Sequence, residues 1–386
     1  MEPPRLLLLG GGHTHVQVLD SLARSDWPPT RVVLLSPDRG QFYTGMVPGY
    51  LQGQYAADEL TIDLPKLCAA AGAEFVAGVA TRIRAGDRTV ETTAGALEYD
   101  LLSLDIGSVP RGGDVPGVRE HAWALRPLQR AVELRERLES LADAGGTARV
   151  VVVGGGAAGV EVALAVRRAL ERRGGHPSVA VVDRETEILQ DYPGRARRIA
   201  RDLLNARGID VRTGREVNRI EPGRVSFVRG DPIAADLVIW ATGPAAPPLM
   251  RESGLPCTPD GFLMVRSSLQ VPGEEGIWGA GDCVDVEGYD VPKAGVFAVR
   301  QGPVLTRNLR AAIAGEEPTP YRPQGAFLSI LNTADDRALL RWRALLSHSR
   351  AAWRLKDWID RRWMARFRTP LPPAPASAPG TPSDRR

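Results

Sequence analysis

Two parts of the chain share a pattern in which a short apolar run enters a cluster of glycines. Leu6–Leu9 leads into Gly10–Gly12, and Val150–Val153 leads into Gly154–Gly156. A short apolar run bounded by glycines predicts a buried strand, and the segments that follow have the apolar spacing of helices. The pattern therefore predicts two strand–loop–helix units in one chain.

Further predicted elements complete each unit. In the first, a helix from His13 to about Ala23 precedes the strand Arg31–Leu35. In the second, a helix over Val160–Arg173 precedes the strand Ser178–Val182. Because a strand, a helix and a second strand form a βαβ unit, we expect a parallel sheet in each half.

A weak internal repeat supports two copies of one plan. Leu101–Ser108 and Leu237–Gly243 are apolar runs that end near a glycine, and each lies about 90 residues beyond its own glycine loop. Repetition at such a distance predicts two nucleotide-binding units of the same kind.

These elements predict an α/β fold with two nested Rossmann-like nucleotide-binding domains and a small C-terminal module. Gly276–Asp282 is strand-like but has no glycine loop of its own, so we expect it to return to the first domain. The Pro-, Ala- and Ser-rich end has the composition of a disordered tail. The predicted boundaries are residues 1–111 (first domain, first part), 112–245 (second domain), 246–318 (first domain, second part), 319–368 (C-terminal module) and 369–386 (tail).

Composition narrows the class of protein. Apolar residues make up 43% and charged residues 25% of the 386 residues, which is typical of soluble globular proteins with more than one domain. The net charge of +3 does not indicate a nucleic-acid partner. No apolar run reaches the roughly 18 residues of a membrane span, and the opening segment lacks the features of a signal peptide. We therefore expect a cytoplasmic protein.

The cysteines and histidines exclude several kinds of site. Cys68, Cys257 and Cys283 lie far apart in the chain, so we expect no disulfide framework, no zinc site and no dithiol redox centre. We expect all three cysteines to act as small, buried apolar residues. His13 and His15 have no carboxylate or cysteine close by in the sequence, so we expect no metal site.

The second glycine loop has the full pattern of a dinucleotide site. Gly154, Gly156 and Gly159 complete GxGxxG between a strand and a helix, where the backbone can approach a diphosphate and the helix N-terminus favours its charge. Asp183 ends the next strand and predicts a bond to a ribose, hence NADH rather than NADPH. Arg184 beside it weakens that preference, and the alternative for Asp183 is an ordinary turn residue.

The first loop departs from the pattern. Gly10 and Gly12 are present, but His15 occupies the third glycine position, and the second strand ends in Ser36, a weaker partner for a ribose. The histidines leave two interpretations open. Either His13 or His15 donates a proton near a cofactor, or His15 packs the first helical turn while His13 fills the loop.

The order of the motifs resembles that of the pyridine nucleotide–disulfide oxidoreductase superfamily of flavoproteins. A glycine loop, a second GxGxxG, Ala241-Thr242-Gly243 and Gly279–Asp282 follow one another over about residues 5–310. The resemblance implies that FAD binds to the first domain and NAD(P)H, the electron donor, to the second. It assigns FAD to Gly10, Gly12 and Asp282, and the nicotinamide coenzyme to Gly154, Gly156, Gly159 and Glu161.

Two subgroups are the most similar. Without a dithiol, the chain resembles type II NADH dehydrogenases. Gly10–His15, Phe42–Gly49, Pro292–Val296 and Trp353–Phe367 also resemble the oxidoreductase module sometimes fused ahead of selenide, water dikinase, although no kinase domain follows here.

The resemblance extends the predicted cofactor site. Tyr43, Thr44, Gly45 and Met46 would line the flavin, and the alternative is an ordinary Gly/Pro turn. Lys293 would place a cation at the flavin pyrimidine edge, or is simply a surface lysine. The remaining residues expected at the cofactors are His13, His15, Ser36, Gly107, Asp183, Gly243, Gly281 and Ala294.

The predicted function is an FAD-dependent NAD(P)H oxidoreductase that passes a hydride from NAD(P)H to FAD and on to an acceptor, with a quinone favoured by resemblance. The alternatives are a selenium- or sulfur-linked flavin reductase, for which Cys283 is the best-placed cysteine, and a non-catalytic NAD(P)H or redox sensor. No catalytic side chain is assigned, because the cofactor itself carries the chemistry.

The aromatic and basic segment Trp353–Phe367 predicts a C-terminal helix with two possible roles. Its pattern suits a membrane interface, but Asp357 and Asp360 favour docking on the protein core. We therefore expect at most weak peripheral contact with the inner face of a membrane, and we leave a homodimer open.

Overall fold

Two parallel sheets organise the molecule, for which a computed structural model describes residues 2–125 and 128–368. The strands are β1 (Arg5–Leu9), β2 (Arg31–Ser36), β3 (Gly40–Phe42), β4 (Thr61–Asp63), β5 (Glu74–Ala77), β6 (Ala80–Arg84), β7 (Thr89–Thr92), β8 (Gly95–Glu98), β9 (Leu101–Leu104), β10 (Val109–Pro110), β11 (Ala122–Ala124), β12 (Arg149–Val153), β13 (Ser178–Val182), β14 (Asp210–Arg212), β15 (Val217–Glu221), β16 (Arg224–Phe227), β17 (Ile233–Ala234), β18 (Leu237–Trp240), β19 (Pro244–Ala245), β20 (Leu263–Val265), β21 (Ile277–Gly279), β22 (Val284–Val286), β23 (Ser329–Asn332), β24 (Ala338–Trp342) and β25 (Leu345–Ser349). The helices are α1 (His15–Arg24), α2 (Val47–Leu51), α3 (Leu64–Ala70), α4 (Val118–His121), α5 (Leu128–Asp143), α6 (Ala157–Arg172), α7 (Gly194–Ala206), α8 (Leu249–Glu252), α9 (Gly295–Ala314) and α10 (Arg350–Arg368).

The first sheet has the strand order β21-β9-β1-β2-β5 and is parallel throughout. Its central strand β1 is covered on both faces, so Leu6–Leu9 are all buried. The late strand β21 pairs with β9, with Trp278 opposite Ser103. This pairing brings residues 277–279 back to the sheet that carries the first glycine loop.

The second sheet, β11-β18-β12-β13-β14, repeats this arrangement. Its central strand β12 pairs in parallel with β13 and β18, as β1 pairs with β2 and β9. Each sheet thus has a central strand with a parallel neighbour on either side. This arrangement confirms the predicted α/β fold with two Rossmann-like units. The strands β9 and β18 are shorter than predicted and end at Leu104 and Trp240, because the chain leaves each sheet before its glycine turn.

The C-terminal module is an antiparallel sheet of β23, β24 and β25 packed against α10. The same helix also lies on the first unit, where Arg366 pairs with the buried Asp20 of α1 and the Tyr55 hydroxyl donates to Asp357 at 2.8 Å. Helix α10 therefore packs on the rest of the described protein. This is the role that Asp357 and Asp360 favoured in the sequence. The predicted tail, residues 369–386, lies outside the described residues.

Candidate functional site

Each glycine loop begins at the carboxyl end of a central strand, where the backbone turns sharply. Gly10 and Gly154 have φ angles of +88° and +117°, in the left-handed region that favours glycine. A Cβ atom at Gly10 would overlap the Asp105 carbonyl oxygen, and one at Gly154 would overlap the Ala241 carbonyl oxygen. Both loops therefore require glycine at their first position.

The second loop presents an open helix N-terminus. Helix α6 begins after Gly156, which has no side chain to cap it, and no described atom lies within 4 Å of where a Cβ at Gly156 would be. Gly159 packs the helix onto the loop so closely that a Cβ there would overlap the Gly154 carbonyl oxygen. Uncapped amides with room in front of them fit a dinucleotide diphosphate.

Asp183 lies at the far side of the second loop, after β13. Its carboxylate accepts hydrogen bonds from the backbone amides of Gly155 and, at 2.9 Å, Glu185. Arg184 pairs with Glu185 at 3.2 Å. Two carboxylates, those of Asp183 and Glu185, therefore lie at this end of the loop, and the Arg184 guanidinium is paired with the second of them.

The first loop lies beside the segment that β21 returns to it. Gly281 has a φ angle of +76°, and its amide donates to the buried Gln301 side chain at 2.6 Å. A Cβ at Gly281 or at Gly12 would overlap the same carboxylate, that of Asp105. The structure thus brings the first loop and Gly281-Asp282 together, as the sequence predicted.

Asp105 is a residue that the sequence interpretation missed. It is 3% exposed and lies beneath the first loop, at the position where the second copy has Ala241. The signal was present in the sequence, since an aspartate stands near the end of the largely apolar run Leu101–Ile106.

The two histidines of the first loop differ in their burial and in their partners. His15 is fully buried beneath the loop with both ring nitrogens bonded to protein groups, which supports the packing interpretation rather than a proton donor at a cofactor. His13 is partly buried and stacks on Trp363 of α10, with ring centroids 6.4 Å apart.

Other predicted residues take varied positions. Ser36 ends β2 and is buried, and Met46 is fully buried at the end of a 3-10 turn over Thr44–Met46. The Lys293 ammonium pairs with Asp285 and lies 4.4 Å from the Phe262 ring centre. Since Lys293 already has an acidic partner, its role at the flavin stays a prediction.

A buried charged cluster joins α10 to both units. The Lys356 ammonium donates to the Gly45 carbonyl oxygen at 2.7 Å and to Asp360 at 2.8 Å. Glu161, in the first turns of α6, accepts from the Asn332 amide at 2.6 Å and interacts electrostatically with Lys356. Burial raises the pKa of the Glu161 carboxyl to about 7, although the Lys356 charge opposes the shift.

The charge on Lys356 is held by its neighbours. Burial acts to lower the pKa of the Lys356 ammonium, but Asp360 and Glu161 outweigh it and raise the pKa. Burial and Asp360 together raise the pKa of the Tyr43 hydroxyl next to Gly45. The cluster therefore combines a fixed positive charge with a carboxyl group that titrates near neutrality.

Comparison with known proteins identifies the family. The family model described as pyridine nucleotide-disulphide oxidoreductase matches residues 4–302. The chain belongs to this family. It is 26% identical to demethylphylloquinone reductase NdbB of Synechocystis sp., over 94% of this chain and 96% of that protein. It is 33% identical to the NADH dehydrogenase-like protein Rv1812c of Mycobacterium tuberculosis, over 57% and 58%.

Solved structures of low identity share the fold of this family member. A sulfide:quinone oxidoreductase from Aquifex aeolicus superposes with a TM-score of 0.80 at 20% identity, covering 95% of this chain and 91% of that one. NDH2 from Plasmodium falciparum does so with a TM-score of 0.78 at 14% identity, covering 94% and 97%. At these identities the likeness establishes the fold.

As a member of this oxidoreductase family, the protein is an FAD-dependent enzyme with NAD(P)H as its electron donor. The family name refers to a disulfide, but the described cysteines do not form one. Cys283 is fully buried next to Asp282, and burial raises the pKa of its thiol to about 12. A thiol in that environment stays protonated and unreactive near neutral pH.

Proposed function

We propose that this protein is an NAD(P)H:quinone oxidoreductase. The observation that carries the proposal is the pair of glycine loops on two parallel sheets, combined with the absence of an exposed cysteine pair among the described residues. Two dinucleotide sites without a dithiol suit direct electron transfer from coenzyme to flavin to a small acceptor. The names of the relatives, including a demethylphylloquinone reductase and an alternative NAD(P)H-ubiquinone oxidoreductase of Arabidopsis thaliana, support a quinone acceptor.

The first unit is proposed to hold FAD and the second NAD(P)H. FAD bound there would supply the hydride acceptor that links the coenzyme to the final electron acceptor. The chain supplies the open amides of α6 for the coenzyme diphosphate, and Asp183 for its ribose. The residues proposed for FAD are Gly10, Gly12, Ser36, Thr44, Gly45, Met46, Gly281 and Asp282.

The buried cluster around Lys356 is proposed to supply protons for quinone reduction. A quinone takes up protons with its electrons, so a carboxyl group that titrates near pH 7 is a suitable donor. Glu161 has such a pKa, of about 7, and its partner Lys356 is bonded to Gly45 of the proposed flavin segment. The Lys356 charge also favours negative charge that develops nearby.

The function is tested with FAD-loaded protein and NADH, with a quinone, polysulfide, selenite and oxygen compared as acceptors. We expect a quinone to support the fastest turnover. Faster turnover with polysulfide or selenite would favour the sulfur- or selenium-linked alternative, although the buried, protonated Cys283 offers no support for a thiol route. Negligible turnover with every acceptor would favour a sensor.

We predict that NADH reduces the flavin faster than NADPH. The reason is the carboxylate of Asp183, which would repel the additional phosphate of NADPH, as would Glu185 beside it. Asp183→Ser should reduce the difference between the rates with NADH and NADPH. Asp202→Ser, on the exposed side of α7, should leave that difference unchanged. Stopped-flow reduction that shows an NADPH preference in the wild type would contradict the assignment.

We also propose weak peripheral contact with a membrane. Among the described residues no helix is long and apolar enough to cross one. Trp358 of α10 and Leu345, the first residue of β25, are nevertheless 58% and 55% exposed, and Arg354 and Arg362 lie close to Trp358 in the helix. An exposed aromatic group among arginines suits anionic lipid. Co-sedimentation with anionic liposomes should be weak, salt-sensitive and reduced by Trp358→Ala, and binding that withstands high salt would contradict this.

A further inference from the structure

The two glycine loops are structural copies, so their differences can be compared position by position. Leu8 of β1 lies opposite Ser103, and Val152 of β12 lies opposite Ile239. In the same register, Asp105 donates its backbone amide to Leu9 as Ala241 does to Val153. The equivalent of Ser103 is thus Ile239, the equivalent of Asp105 is Ala241, and the equivalent of His15 is Gly159.

In the second copy these positions are small or apolar, and the helix is held by close packing. A Cβ at Gly159 would overlap the Gly154 carbonyl oxygen, so α6 approaches the loop as only glycine permits. The equivalent contact is closed to α1, because His15 carries a side chain. The first turn of α1 must therefore be held to its loop in another way.

His15 makes this connection through hydrogen bonds. Its Nδ1 lies 2.6 Å from the Gly10 carbonyl oxygen, and its Nε2 lies 2.8 Å from the Ser103 hydroxyl. A carbonyl only accepts, so Nδ1 carries the proton and Nε2 accepts from the serine. Burial lowers the pKa of the imidazole, which keeps this neutral tautomer near physiological pH.

Asp105 completes the connection from the sheet. Its carboxylate accepts from the backbone amides of Thr14 at 2.7 Å and of His15 at 3.2 Å, and from the Thr14 hydroxyl. A carboxylate at a helix N-terminus is favoured by the helix dipole. The same carboxylate lies against Gly12 and Gly281, which belong to the two segments proposed to hold FAD.

We propose that His15 and Asp105 are positioning residues for FAD, which hold the first loop and the Gly281 segment by a buried polar network instead of glycine packing. This inference rests on the assignment of FAD to the first loop. It implies that restoring the glycine of the GxGxxG pattern by His15→Gly weakens FAD binding, although the pattern alone suggests the opposite.

The test uses the full-length FAD-loaded protein and compares three variants at one position. His15→Leu retains bulk without a hydrogen bond, His15→Asn retains a donor near the place of Nδ1, and His15→Gly restores the motif. We expect the dissociation constant of FAD to rise about tenfold or more in His15→Leu and His15→Gly, which corresponds to ~1.4 kcal/mol. The increase in His15→Asn should be several times smaller.

The second loop provides a control within the same molecule. The affinity for NADH should change less than about twofold in all three variants, because Gly154–Gly159 keeps its own packing. Ser103→Ala removes one hydrogen bond and little volume, and it should weaken FAD binding measurably. This milder variant keeps the test available if His15→Leu does not fold.

The outcomes separate the two claims. Wild-type protein that does not retain FAD contradicts the proposed function itself. Wild-type protein that retains FAD while His15→Leu and Ser103→Ala retain it equally well overturns the positioning role. Equal weakening of FAD and NADH binding, or no advantage of Asn over Leu, overturns it as well, because a general packing defect would then suffice.

Discussion

Gly159→Ala should strongly slow reduction of the flavin by NADH while FAD stays bound. The added methyl group would overlap the Gly154 carbonyl oxygen, so the first turn of α6 must move away from the loop. A displacement of about 1 Å in a positioning element costs roughly 100-fold in rate. The rate of flavin reduction by NADH should therefore fall by about that factor or more, measured anaerobically by stopped flow.

The control for this substitution is Gly86→Ala. A Cβ at Gly86 has no described neighbour within 4 Å, so both flavin content and the rate of reduction should remain as in the wild type. Flavin content of Gly159→Ala should also match the wild type, because the first loop is unchanged. An unchanged rate with NADH would contradict the assignment of the coenzyme to the second loop.

Glu161→Gln should slow flavin reoxidation by a quinone much more than flavin reduction by NADH. Loss of a general acid costs about 100-fold or more in rate. Because burial raises the Glu161 pKa to about 7, the carboxyl group is protonated below that pH and able to donate. The wild-type rate of reoxidation should thus fall as the pH rises through about 7, and the variant should lack this step.

Glu171→Gln is the matched control for Glu161. It lies on the same helix, paired with Arg167 at 2.6 Å and away from Lys356, and its pH profile should follow the wild type. A pH step near neutrality that persists in Glu161→Gln would show that another group supplies the proton.

The sequence predicted the elements that local pattern determines. Apolar runs before Gly10 and Gly154 became the central strands β1 and β12, and the repeat of Leu101–Ser108 with Leu237–Gly243 became the neighbours β9 and β18. The strand-like run that ends before Gly281 does pair with β9. These features follow from the hydrophobic periodicity, the positions of glycines and the lengths of the apolar runs, all of which can be read from a single sequence.

The residues that were missed depend on contacts far apart in the chain. Lys356 bonds to Gly45, 311 positions away, and Ser103 bonds to His15, 88 positions away. Local pattern carries no information about such partners, so it did not distinguish Lys356 from the other basic residues of α10. Lys293 shows the reverse case, since the flavin role predicted for it does not account for the ion pair that its ammonium makes with Asp285.

The central claim is that electrons pass from NADH through FAD to a quinone, and one anaerobic experiment tests it most directly. The FAD-loaded protein is reduced with one equivalent of NADH, a soluble naphthoquinone is added, and flavin absorbance is followed by stopped flow. We predict that NADH bleaches the flavin and that the quinone restores its colour faster than polysulfide or selenite does. Flavin that NADH does not bleach, or that stays reduced in the presence of the quinone, would contradict the account.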